Sequence, residues 1–111
     1  MVSHILTEIP MLDKNKIYII EVNSLQENIQ LTELFRKNNI NWLNVAFNRN
    51  LKNHIKELKQ KNDLFFKQLI ELYFIEDNWN FCYVSVAQSY DKKFSVNQFI
   101  REEKLNRLNE L

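Results

Sequence analysis

The sequence predicts an α+β fold: a small mixed or mostly antiparallel sheet of about three to four strands, packed by three to four helices in a single layer. Three observations lead there. Along 111 residues, stretches rich in β-branched and aromatic residues alternate with stretches of helical period, joined by short Asn- and Asp-bearing connections. The strand candidates carry Asn44, Asn80, Ser85 and Gln88, which suits a sheet with one wet face. A three-layer α/β fold, the alternative, needs strands that are apolar almost throughout because both faces are covered. Only IYIIEV, residues 17–22, comes near that description. The length suits one globular domain over residues 1–111, within the usual range of about 50 to 200 residues for a single core.

Each element has its own signal. Residues 3–9 alternate between polar and apolar side chains, and PMLDKNK separates them from the run 17–22; this predicts a hairpin or two short strands. Ser24 with Glu27 three residues on is a capping box, so a helix is expected from about Leu25 to Lys37, stopped by Asn38 and Asn39. INWLNVAF, residues 40–47, puts Leu43, Val45 and Phe47 on one side of a third strand. From Leu51 the spacing turns helical: Leu51, Ile55 and Leu58, then Phe65 or Phe66, Leu69 and Tyr73. This predicts one long helix, or two broken near Asn62 and Asp63. Residues 79–88, WNFCYVSVAQ, form the clearest strand, after which Ser95 caps a helix bearing Val96, Phe99, Ile100, Leu105, Leu108 and Leu111.

Composition narrows the chemistry. With no glycine in the chain, the Gly-rich loops that let backbone approach a phosphate closely are excluded. Turns fall instead to sixteen asparagines and the aspartates, which tolerate the left-handed region best among the other residues. Eight Phe, four Tyr and two Trp provide a large apolar payload for a small core. Cys82 is the only cysteine, so neither an internal disulfide nor a cysteine zinc cage can form. No segment has the roughly 20 apolar residues of a bilayer span, and the N-terminus lacks the pattern of a signal peptide. A cytoplasmic protein without membrane contact is expected. No cofactor is implied.

Four groups of residues are candidates for function. Arg49, Lys52, Lys56 and Lys59, with Lys61 close by, fall at intervals of three and four residues and so lie along one stripe of a helix. The stripe reads as a contact for phosphates or for an acidic protein, or more plainly as the solvated side of the helix whose buried side is Leu51, Ile55 and Leu58. His4 and His54 are the only imidazoles; a nucleophilic dyad would need one of them beside Cys82 or a serine. Cys82 between Phe81 and Tyr83 reads rather as a small buried hydrophobe. Glu21, near the end of a strand, is the best placed of several isolated carboxylates, but no paired acidic motif accompanies it. Trp42, Trp79, Tyr83, Tyr90 and Phe94 either fill the core or anchor an interface, where Trp and Tyr are enriched.

The resulting expectation is a small non-enzymatic protein that binds and blocks another macromolecule, as inhibitors, immunity proteins and phage or mobile-element counter-defence proteins do. The expected partner is another protein, met by Arg49, Lys52, Lys56, Lys59, Trp42, Trp79 and Tyr90. A nucleic-acid binder that uses the basic stripe is the second expectation, weakened by a net charge of only +1. A small enzyme is the third.

Overall fold

A computed structural model describes residues 12–43, 51–62 and 67–101. The elements run β1 (Tyr18–Val22), α1 (Leu25–Lys37), β2 (Asn41–Trp42), α2 (Leu51–Gln60), β3 (Gln68–Ile75), β4 (Asn78–Val84) and β5 (Lys92–Ser95), and residues 96–101 open a further helix, α3. The five strands form one mixed sheet in the order β2-β4-β3-β1-β5. Pairs β1/β3 and β3/β4 are antiparallel, whereas β1/β5 and β2/β4 are parallel. The α+β class stands, with five strands in place of three to four.

Side-chain alternation splits the sheet into two faces. Register places Tyr18 opposite Leu72, Ile20 opposite Ile70 and Phe94, and Leu72 opposite Phe81, so these residues share a face. All are buried there with Leu31 and Phe35 of α1 and with Val96 and Phe99 of α3. Aromatic pairs tie the layers together: Phe35 meets Phe81 at 4.6 Å and Phe99 edge-on at 6.1 Å between centroids, and Phe99 meets Phe94 at 5.8 Å. All three helices of the described residues pack on this one face. The opposite face carries Glu21, Glu71, Tyr73, Cys82 and Lys93, half-buried or exposed, with Lys93 paired to Glu21 at 3.3 Å. Cys82 therefore points away from the aromatic core, although its neighbours in sequence flank that core.

Capping fixes where the helices begin. Ser24 Oγ accepts from Glu27 N–H at 3.1 Å, and the Glu27 carboxylate accepts from Asn23 N–H at 2.9 Å. Ser95 repeats the device with Gln98: Gln98 N–H donates to Ser95 Oγ at 3.1 Å and Ser95 N–H donates to Gln98 Oε1 at 2.9 Å. At the far end of α1, Asn39 takes φ 58°, and Ile40 N–H reaches back to Phe35 C=O at 2.9 Å. That is the left-handed stop of a Schellman motif, made by Asn in a chain without glycine.

Two expectations are corrected. Leu69 and Tyr73, expected to continue a helix, belong to β3. QLIELYFI alternates Ile70, Leu72 and Phe74 toward the core with Leu69, Glu71 and Tyr73 on the other face, a period of two that a three-and-four spacing of selected residues hides. The loop that returns the chain is only Glu76-Asp77, both at positive φ (54° and 64°), the pattern of a type I′ hairpin. Second, β5 forms from Lys92–Ser95, where two lysines and a short length hid the strand. Its single buried anchor is Phe94. The third strand is reduced to Asn41–Trp42, since the positions expected to extend it, 44–47, lie outside the described residues. So do the expected N-terminal strand over 3–9, Phe65 and Phe66.

Candidate interaction surface

Helix α2 is two-sided. Ile55 and Leu58 are buried, while Lys52, Lys56 and Lys59 are exposed. At 100° per residue the three lysines fall within one narrow sector, with His54 on the opposite side of the helix.

The inner side carries a polar cluster drawn from four elements. His54 Nε2 lies 2.6 Å from the Tyr83 hydroxyl of β4, and that hydroxyl donates to Asn28 Oδ1 of α1 at 3.1 Å. A phenol has one proton, so once it is given to Asn28 the hydroxyl only accepts, and the short contact is donated by His54 Nε2–H. Trp42 of β2 packs its ring on the His54 ring at 4.4 Å between centroids, and meets Tyr83 edge-on at 6.2 Å. Burial pushes the Tyr83 phenol up to about 12. The phenol is therefore neutral at ordinary pH. A cavity of about 170 Å³ lies beside the cluster, lined by Asn28, His54, Leu58, Lys61, Gln68 and Tyr83.

The outer side meets α1. Glu33 and Arg36 from α1 and Lys52, Ile55, Lys56 and Lys59 from α2 line a groove of about 230 Å³. Lys59 Nζ sits 2.7 Å from Glu33 Oε1. This hydrogen bond holds the Glu33 carboxyl below the usual carboxylate range, against an opposing contribution from burial and with added help from the charges of Lys59, Lys37 and Arg36. Among the described residues no carboxylate pairs with Arg36, Lys52 or Lys56.

The expected site residues thus divide. Lys52, Lys56 and Lys59 share the groove, and Lys61 is exposed just beyond α2. Arg49 lies outside the described residues. Trp42 is half-buried against His54 and supports the helix from below. Tyr90 is 44% exposed but, like Trp42, does not line the groove. Trp79 is corrected: at 1% exposure it is a core residue, enclosed by Tyr18 and Phe74 at 6.4 and 5.5 Å. No outside partner reaches it. Among the described residues its indole N–H meets no acceptor.

Arg36 and Glu33 are the groove residues that sequence reasoning missed. They stand thirteen or more positions from the stripe, and only the packing of α1 on α2 brings them there. The Cys82 thiol is half-buried, and desolvation pushes its pKa up, with the Glu71 charge adding and a hydrogen bond from Tyr73 opposing. A raised pKa lowers the fraction of thiolate, the form that nucleophilic chemistry needs. Among the described residues no group of three or more His, Cys, Asp or Glu side chains is placed to hold a metal ion, and no helix is long and apolar enough to cross a membrane. Compared with known protein families, curated proteins and solved structures, the chain matches none of them.

Proposed function

We propose that this protein works without chemistry, in the cytoplasm, by binding another protein through an acidic surface of that partner and blocking it. The contact is the α1–α2 face, and one observation carries the reading: Arg36, Lys52, Lys56 and Lys59 line a single groove in which, among the described residues, Glu33 is the one carboxylate. Such crowding is unfavourable for the isolated helix, because like charges three and four residues apart each cost about 0.2–0.5 kcal/mol. An acidic partner turns that cost into attraction and steers the encounter.

A nucleic-acid partner is the second reading, favoured by the same cluster of cations. It is weaker because about four charges on a chain of net charge +1 are largely screened at physiological salt, where the Debye length is about 8 Å. Anisotropy titrations with labelled single- and double-stranded oligonucleotides decide between the two. The first reading expects no appreciable binding at physiological ionic strength, together with capture from the native host of an acidic protein that a Lys52→Glu, Lys56→Glu variant no longer retains. Tight oligonucleotide binding that weakens steeply with salt, and disappears in that variant, replaces the first reading with the second.

A further inference from the structure

The groove is charged unevenly along its length. Arg36 shares a cavity lining with Leu51 at the start of α2, Glu33 pairs with Lys59, and Asn28 shares a lining with Leu58 and Lys61, so α1 and α2 run antiparallel here. The Glu33–Lys59 pair at 2.7 Å places the internal carboxylate at the last turn of α2, whereas Arg36, Lys52 and Lys56 have no carboxylate paired with them among the described residues.

We propose that Glu33 is a built-in counterion that sets the specificity of this groove: it occupies Lys59 and leaves Arg36, Lys52 and Lys56 to receive the carboxylates of an acidic peptide segment. The inference rests on the reading of the α1–α2 face as the binding surface, and names the chemistry recognised there. Charge complementarity selects the occupant. The floor, Ile55, is only 5% exposed, so an incoming segment meets chiefly the aliphatic stems of Arg36, Lys52 and Lys56 with the cations at their tips. Arg36 contributes a planar fork that matches a carboxylate through two parallel hydrogen bonds, whereas Lys52 and Lys56 act as mobile point charges. Glu33 shows how a carboxylate sits in the groove, since its own is already hydrogen-bonded by a lysine of the facing helix. Its removal frees Lys59 and extends the receptive set from three cations to four.

The test is an NMR titration of the ¹⁵N-labelled 111-residue chain with a hexaglutamate peptide at low salt, comparing the parent with Glu33→Gln and Lys56→Glu. Glu33→Gln keeps the side chain's shape, and thermal melts verify that both variants are folded. The expected result is peptide-dependent shifts at the amides of Arg36, Lys52 and Lys56 in the parent. Glu33→Gln should bind about two- to five-fold more tightly, as fits the release of an exposed pair, with Lys59 joining the shifted set, and Lys56→Glu should lose most of the affinity. Equal or weaker binding by Glu33→Gln, with Lys56→Glu still defective, overturns the counterion role and leaves the binding surface standing. Shifts that avoid the groove in all three proteins overturn both.

Discussion

The two sides of α2 handle polar groups in opposite ways. Inward, His54, Tyr83 and Asn28 pass hydrogen bonds from one to the next under the lid of Trp42; outward, Lys52 and Lys56 have no carboxylate paired with them among the described residues. The inner polar atoms have lost water and so need partners, since an unsatisfied buried group costs about 1–3 kcal/mol. The outer ones keep their water and can remain available. One helix therefore combines an anchored side, which fixes its position on the sheet, with an open side that the anchoring presents. The contrast can be broken from either side.

The largest effect is expected at Ile55, 5% exposed beneath the groove. Ile55→Asp removes the buried packing of the side chain and drives a carboxylate under the groove, where even the cations above it leave a cost of about 3 kcal/mol, a large share of the roughly 5–15 kcal/mol that holds a domain together. Thermal melting checks it. A melting temperature equal to the parent's would mean that the two sides of α2 have been assigned the wrong way round.

Next comes the polar cluster. Tyr83→Phe keeps the ring against Trp42 and Phe81 but removes the hydroxyl, stranding Asn28 Oδ1 and His54 Nε2–H. Asn28 is 1% exposed, so water replaces the lost donor poorly, and a loss of about 1–3 kcal/mol is expected by urea denaturation. If Tyr83→Phe is as stable as the parent, the network does not anchor α2.

A gain of about 1 kcal/mol is expected at the β3–β4 hairpin. Glu76 is held at φ 54°, where a residue with a Cβ is disfavoured by about 1–2 kcal/mol. Type I′ loops prefer Asn-Gly, so Glu76→Asn with Asp77→Gly should relieve the strain, less the extra freedom that glycine gives the unfolded chain. A higher urea midpoint at unchanged slope is the expected reading, and a lower midpoint contradicts the turn assignment.

This hairpin also shows what was legible in the sequence. Local signals carried their elements: Ser24/Glu27 and Ser95 fixed two helix starts, Asn38-Asn39 a helix end, and Ile55 and Leu58 the buried side of α2. The β3 strand was lost because Glu-Asp is not the usual I′ sequence, and because Leu69 and Tyr73 also satisfy a helical spacing. The short strand β5 draws its stability from parallel pairing with β1, seventy positions away, which no local pattern records. The candidate site divides in the same way. Three lysines on one helix were visible as a stripe, but Arg36 and Glu33, which make the stripe a groove, come from a different helix. Trp79 and Trp42 were both read as anchors for a partner, because exposure is set by tertiary packing; one is core and the other supports His54.

The smallest effect on stability is expected on the open side, and it separates binding from folding. In Lys56→Glu, repulsion with Lys52 at i−4 and Lys59 at i+3 becomes attraction, each contact worth about 0.2–0.5 kcal/mol, so the helix should be as stable as the parent or slightly more so. Glu33 moderates the gain, because a carboxylate at position 56 stands in the groove that already holds one. The balance should stay within about 0.5 kcal/mol at neutral pH, as for most exposed substitutions. Acid provides a second check. The Glu33 carboxyl is held low in the folded state, so its pair with Lys59 stabilises above the unfolded carboxylate range and fades as pH falls through the lowered folded value. Urea midpoints of the parent and of Lys56→Glu should therefore nearly coincide at neutral pH, while the variant loses its acidic ligands. Destabilisation of Lys56→Glu as deep as that of Ile55→Asp would show that Lys56 belongs to the anchored side of the helix, and the contrast between the two sides would not hold.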